Sequence, residues 1–96
     1  FLNRSNRIIS AERVSQGGMA ATVVDVRILL KSALDRMSTN IILCHNHPSG
    51  ILCPSVQDDT LTKKITDAAR LLDISVLDHV IVGATGYYSY RDEGKI

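Results

Sequence analysis

Ile41-Ile42-Leu43-Cys44-His45-Asn46-His47-Pro48-Ser49-Gly50-Ile51-Leu52-Cys53-Pro54-Ser55-Val56-Gln57-Asp58 reads as a strand that runs out into histidines, then a turn, then the opening of a helix. Ile41 to Cys44 is continuously apolar, the pattern of a central strand covered on both faces. Alternate residues of an extended chain point to the same side. His45 and His47 can therefore aim at one point while Cys44 and Asn46 face the other way. Neutral imidazoles that converge on one point make a transition-metal site. Two ligands do not hold zinc, and Asp58 is the natural third: it follows the Pro48-Ser49-Gly50 turn and lies in a helical pattern that opens at Pro54-Ser55. Two histidines and a carboxylate leave one zinc position for water, the arrangement of a catalytic site.

Ser55-x-x-Asp58 has a second reading. It is also a capping box, with Ser55 as N-cap and Asp58 near the third helical position. Ser55 can cap the helix and still lie near the site. An Asp58 folded back onto the cap would not easily bind zinc as well, and the pair taken alone leaves both readings open. Asp59 points about a hundred degrees round the helix and reads as solvated.

Outward from this stretch, helical spacing continues from Ser55 to about Leu72. Leu61, Ile65, Ala68 and Leu72 lie on one side and Lys63, Lys64, Asp67 and Arg70 on the other. Val76 to Val82 reads as a strand, Gly83-Ala84-Thr85-Gly86 as a turn, and Tyr87 to Tyr90 as a final strand. Upstream, Asp25 suits the N-cap of a helix over about Val26 to Met37, with Val26, Leu29, Leu30, Ala33, Leu34 and Met37 as its apolar stripe. Phe1-Leu2 reads as the tail of an incomplete strand, Asn3-Arg4-Ser5-Asn6 as a hairpin turn, and Arg7 to Ser15 as a strand of imperfect alternation. Gly17-Gly18 is a flexible turn or a substrate-facing loop. The order strand, strand, helix, strand, helix, strand, strand gives an α/β sandwich with a mixed sheet.

Ninety-six residues, 45% of them hydrophobic, mean one domain (1–96) with a modest core. The net charge is +1 with both signs interspersed, so there is no electrostatic footprint for nucleic acid. No apolar run approaches membrane-spanning length, and the opening residues show no signal-peptide pattern. Two cysteines do not make a disulfide framework, and a reduced cytoplasmic setting is the default.

His-x-His, seven residues, Ser, two residues, Asp resembles the metal-binding signature of the JAMM/MPN metallopeptidases, and His45, His47, Ser55 and Asp58 fit it without a gap. The blocks His45-Asn46-His47-Pro48-Ser49-Gly50, Leu77-Asp78-His79-Val80-Ile81-Val82-Gly83 and Tyr88-Ser89-Tyr90-Arg91-Asp92-Glu93-Gly94 look like the bacterial RadC branch of that family. The resemblance covers almost the whole chain. It implies the JAMM/MPN (cytidine-deaminase-like) sandwich, a zinc ion on His45, His47 and Asp58, and a peptide or isopeptide substrate. It also implies Ser55 as the donor to a developing oxyanion. The family's general-base glutamate lies just before the first strand and has no matching position here. Neither Glu12 nor Glu93 takes its place, so these residues read as a domain truncated at its N-terminus that binds metal but is nearly inert as a hydrolase. The other reading is a non-catalytic module that binds a protein or DNA-repair partner; a homodimer is compatible with either.

The remaining polar candidates are open. His79 reads as a structural residue or one that supports a ligand, and its neighbour Asp78 faces the opposite way. Cys44 reads as a buried small hydrophobe. Cys53 is a bystander, a redox-sensitive thiol or an adventitious zinc ligand. Tyr87, Tyr88 and Tyr90 read as packing residues or a substrate platform.

Overall fold

A computed structural model describes residues 1–12, 24–47 and 50–96. Its elements are α1 (Val26–Asp35), β1 (Asn40–Asn46), α2 (Val56–Leu71), β2 (Ser75–Gly83) and β3 (Gly86–Ser89). The sheet runs β1-β2-β3. β1 and β2 are parallel, and β3 returns antiparallel through the Ala84-Thr85 turn. The expected α/β architecture with a mixed sheet is present.

The two expected N-terminal strands are reduced to single bridges. Leu2 pairs antiparallel with both Ile8 and Asn40. The hairpin turn between them is real: the Asn3 carboxamide oxygen accepts from the backbone N–H of Ser5 and Arg7, and Asn6 takes φ 59°. The strand expected over Arg7 to Ser15 does not form across residues 7–12. Ile8 is 77% exposed, so the segment buries too little apolar surface to hold a ladder. Residues 13–15 and the Gly17-Gly18 turn lie outside the described residues.

α1 begins as expected, with the Asp25 carboxylate accepting from the Arg27 N–H. It ends at Asp35, two residues early. Met37 adopts φ 53°, and the N–H groups of Met37 and Ser38 close onto the carbonyls of Leu34 and Ala33. Val26, Leu29, Leu30 and Ala33 are buried, whereas Leu34 and Met37 are exposed. A non-glycine residue in this left-handed conformation is strained by about 1–2 kcal/mol. Met37 is 83% exposed, so little burial is lost on replacing it. Met37→Gly is expected to stabilise the chain by about 0.5–1 kcal/mol after the unfolded-state cost of glycine. Thermal unfolding reads this as a midpoint a few degrees higher; a lower midpoint would mean that the Met37 side chain contributes to packing.

One cluster joins Leu29, Leu30 and Ala33 of α1 to Ile65 and Ala69 of α2 and to Ile41 and Val76 of the strands. Both helices therefore share one face of the sheet. The other face is open at Ile42, Cys44, Val82 and Tyr87, all exposed. This corrects two expectations: β1 is not covered on both faces, and Cys44 is not buried. The hydrophobic run Ile41-Ile42-Leu43-Cys44 reads as doubly covered, yet its burial alternates. α2 also turns slightly from its expected face: Thr62, Ile65 and Ala69 are its buried residues, and Leu72, just past its end, is exposed.

Candidate metal centre

β1 delivers the histidines at its C-terminal end, on the helix side of the sheet. α2 starts beneath them, so its first turn presents a carboxylate to both rings. The Asp58 carboxylate sits 3.3 Å from His45 Nε2 through Oδ1 and 3.0 Å from His47 Nε2 through Oδ2. The ligand atoms of His45, His47 and Asp58 all lie within 4.8 Å of one another, close enough to hold a metal ion. Cys53 is exposed and outside this group.

The two readings of Asp58 are geometrically compatible: its carboxylate makes the cap and also faces both histidines. Ser55 donates its N–H to Asp58 Oδ2 at 2.7 Å, and Asp58 donates its N–H to Ser55 Oγ at 3.1 Å. This complete capping box holds the carboxylate at the helix N-terminus, where the macrodipole favours negative charge. Oδ2 also faces His47, and Oδ1, outside the cap, faces His45. Burial alone would raise the Asp58 pKa. The Ser55 backbone and side chain, then His45 and His47, override it and hold the carboxyl below its ordinary value.

A carbonyl orients His47. Its Nδ1 lies 2.6 Å from the Ile51 carbonyl oxygen, which can only accept, so Nδ1 carries a proton and Nε2 is the nitrogen turned toward Asp58. Two imidazole nitrogens and a carboxylate facing one point form a donor set that fits a divalent transition metal. Burial lowers the His45 pKa; Asp58 opposes and His47 assists that shift. A lowered pKa keeps the ring neutral and able to ligate.

His79, expected to be structural or supporting, lies directly behind His45. It is 4% exposed, and its Nε2 is 2.8 Å from His45 Nδ1. Its ring stacks on Tyr90 with centroids 4.7 Å apart and planes 8° from parallel. Burial, with the adjacent His45, pushes its pKa down to about 4. Tyr90 is buried, and its hydroxyl donates to Asp59 Oδ1 at 2.7 Å, so Asp59 is not merely solvated. Tyr88 meets Tyr90 edge-on, while Tyr87 is exposed on the open face.

Asp78 faces away from the site, as strand alternation requires. It accepts from the His79 N–H, the Ser89 hydroxyl and the Arg91 N–H, tying β3 to β2. Burial would raise its pKa, and these hydrogen bonds bring it below the ordinary carboxylate value instead. Glu12 pairs with Arg36 just past α1, near the start of β1 and so at the opposite end of that strand from the histidines. Sequence reasoning missed Thr62. Its position four residues after Asp58 puts both on one helix face, which was the available signal.

Gly50 and Leu52, between His47 and Asp58, each meet a neighbour. Gly50 takes φ 76° and donates its N–H to the His47 carbonyl. Leu52 lies against the end of β2: a Cβ on Gly83 would come within 2.6 Å of Leu52 Cδ2.

The sequence profile of the RadC-like JAB domain matches residues 1–95. A UPF0758 protein of Flavobacterium johnsoniae is 53% identical over 94 residues, covering 98% of this chain and 41% of that protein. Another of Porphyromonas gingivalis is 47% identical over 97 residues, covering 100% of this chain and 43% of its own length. A third, of Streptococcus gordonii, is 43% identical over 93 residues, with coverage of 97% and 41%. The chain thus spans less than half the length of these relatives. Among the described residues, no helix is long and apolar enough to cross a membrane.

Proposed function

The chain belongs to the RadC-like JAB domain family, and from that premise we propose that it carries the zinc centre of a peptidase or isopeptidase-like hydrolase. His45, His47 and Asp58 are the ligands. The observation that carries this reading is the convergence of two imidazole Nε2 atoms on the two oxygens of one carboxylate. Zinc held there supplies Lewis-acid polarisation of a carbonyl and an acidified water. The protein's own residues do the rest. The capping box fixes Asp58, and the Ile51 carbonyl fixes the ring of His47. Ser55 Oγ accepts from the Asp58 N–H, which leaves its own proton to donate to a substrate oxygen as that oxygen gains charge.

Stoichiometric zinc is expected to survive mild dialysis, as read by atomic absorption, and to be lost from His45→Ala and His47→Ala. Wild-type zinc in folded His47→Ala protein would overturn the ligand assignment. A second reading is a non-catalytic module of the same fold that docks a protein partner. It is favoured by the exposed apolar side chains of Ile42, Val82 and Tyr87 on the open sheet face. Zinc-free protein in the same measurement would support it. Direct DNA contact is not part of either proposal, because a net charge of +1 leaves few phosphates to neutralise.

A further inference from the structure

Behind the ligands runs a chain of hydrogen bonds whose direction is forced from one end. The Asp58 backbone carbonyl can only accept. Thr62 Oγ1 lies 2.7 Å from it, so the Thr62 hydroxyl donates its single proton there. Thr62 Oγ1 is also 2.6 Å from His79 Nδ1, and having no further proton it must accept. His79 is therefore protonated at Nδ1. Buried and neutral, it leaves a lone pair on Nε2. That lone pair accepts the proton of His45 Nδ1 at 2.8 Å. His45 is left with a bare Nε2, the nitrogen that faces Asp58 Oδ1.

We propose that His79 and Thr62 are positioning residues which, through this one-way chain, fix the tautomer and ring plane of His45 so that Nε2 is the ligating atom. The inference rests on the metal reading of His45, His47 and Asp58, and it adds what aims one of them. The chain begins and ends on ligand residues, since Asp58 supplies both its terminal carbonyl and the facing carboxylate. Tyr90 completes the arrangement by stacking on His79, and its hydroxyl is tied to Asp59 in the first turn of α2. His79 is thus held along its edge by hydrogen bonds and across its face by a ring. His47 likewise donates from Nδ1, by a shorter route, to the Ile51 carbonyl. Groups that orient a ligating histidine typically matter by about 10- to 100-fold in metal affinity.

The test uses zinc affinity, by competition with a chromophoric chelator, and the histidine tautomers, by long-range ¹H–¹⁵N correlation on metal-free protein. The spectra are taken at about pH 8, above the ordinary imidazole range. Thr62→Val keeps the shape and removes the hydroxyl. His79→Phe keeps the stack on Tyr90 and removes both nitrogens. Each is expected to weaken zinc by about 10- to 100-fold, and Thr62→Ser is expected to restore it. In the wild type, His45 and His79 are both expected as the Nδ1–H tautomer. Wild-type affinity in folded Thr62→Val and His79→Phe would overturn the proposal, and so would an Nε2–H tautomer at His45. If a variant does not fold, the wild-type spectrum still decides. A wild type that binds no zinc would sink the metal reading, while the tautomers would separately show whether the chain runs as described.

Discussion

Replacing Asp58 with alanine is expected to empty the metal centre and loosen the start of α2 in one step. The carboxylate faces both imidazole nitrogens and accepts the Ser55 N–H. Without it, two histidines remain, and two protein ligands do not retain zinc through dialysis. The Ser55 N–H also loses its acceptor at the helix N-terminus, at a cost of about 0.5–1 kcal/mol. The backbone of residue 58 still donates to Ser55 Oγ and still accepts from Thr62, so the fold should survive. Asp58→Asn separates the two roles. Its carboxamide oxygen can accept the Ser55 N–H, but it is a neutral and weaker ligand, so stability should stay near wild type while most zinc is lost. Zinc content and thermal unfolding, each with and without chelator, read both effects. Metal that binds only the folded state raises the midpoint in proportion to its occupancy. The wild type should therefore drop on chelation and Asp58→Ala should not. Undiminished zinc in Asp58→Ala would place the third ligand elsewhere.

Ser55→Ala is expected to lower turnover of the whole protein about a hundredfold, the typical loss on removing one oxyanion donor, with zinc still bound. The hydroxyl lies beside Asp58 and is not one of the three proposed ligands. The same oxygen caps α2, so alanine also costs about 1 kcal/mol of stability. Ser55→Gly controls for this, because glycine at an N-cap costs only a few tenths of a kcal/mol. If Ser55→Gly keeps full turnover against a panel of peptides and isopeptides, the hydroxyl serves the helix and not the reaction.

The spacing of His45, His47, Ser55 and Asp58 was legible because each constraint is local. Strand alternation pairs the histidines, and one helical turn joins Ser55 to Asp58. Asp25 was legible as a cap for the same reason. What failed was whatever depends on partners far along the chain. Ile42 and Cys44 look buried in an apolar run, but no local signal says that both helices lie on one side of the sheet. Met37 continues a helical stripe past the helix end, where it turns left-handed, and Leu34, still within α1, is exposed. Thr62 and His79 are 17 residues apart, and their contact exists only once α2 is laid against β2. Cap and ligand read as rivals for Asp58 because a carboxylate in a sequence counts as one group; in the fold it makes the cap and still faces both imidazoles, since it has two oxygens and several lone-pair directions.

Gly83 ends β2, well away from His45 and His47 in sequence, yet it packs beside the residue next to the one that orients His47. Leu52 occupies the space that a side chain at position 83 would need. The residue before Leu52 is Ile51, whose carbonyl orients His47. A methyl group added at position 83 would collide only with the end of the Leu52 side chain, which can swing aside, so the disturbance stops at a leucine rotamer and the Ile51 carbonyl keeps its hold on His47.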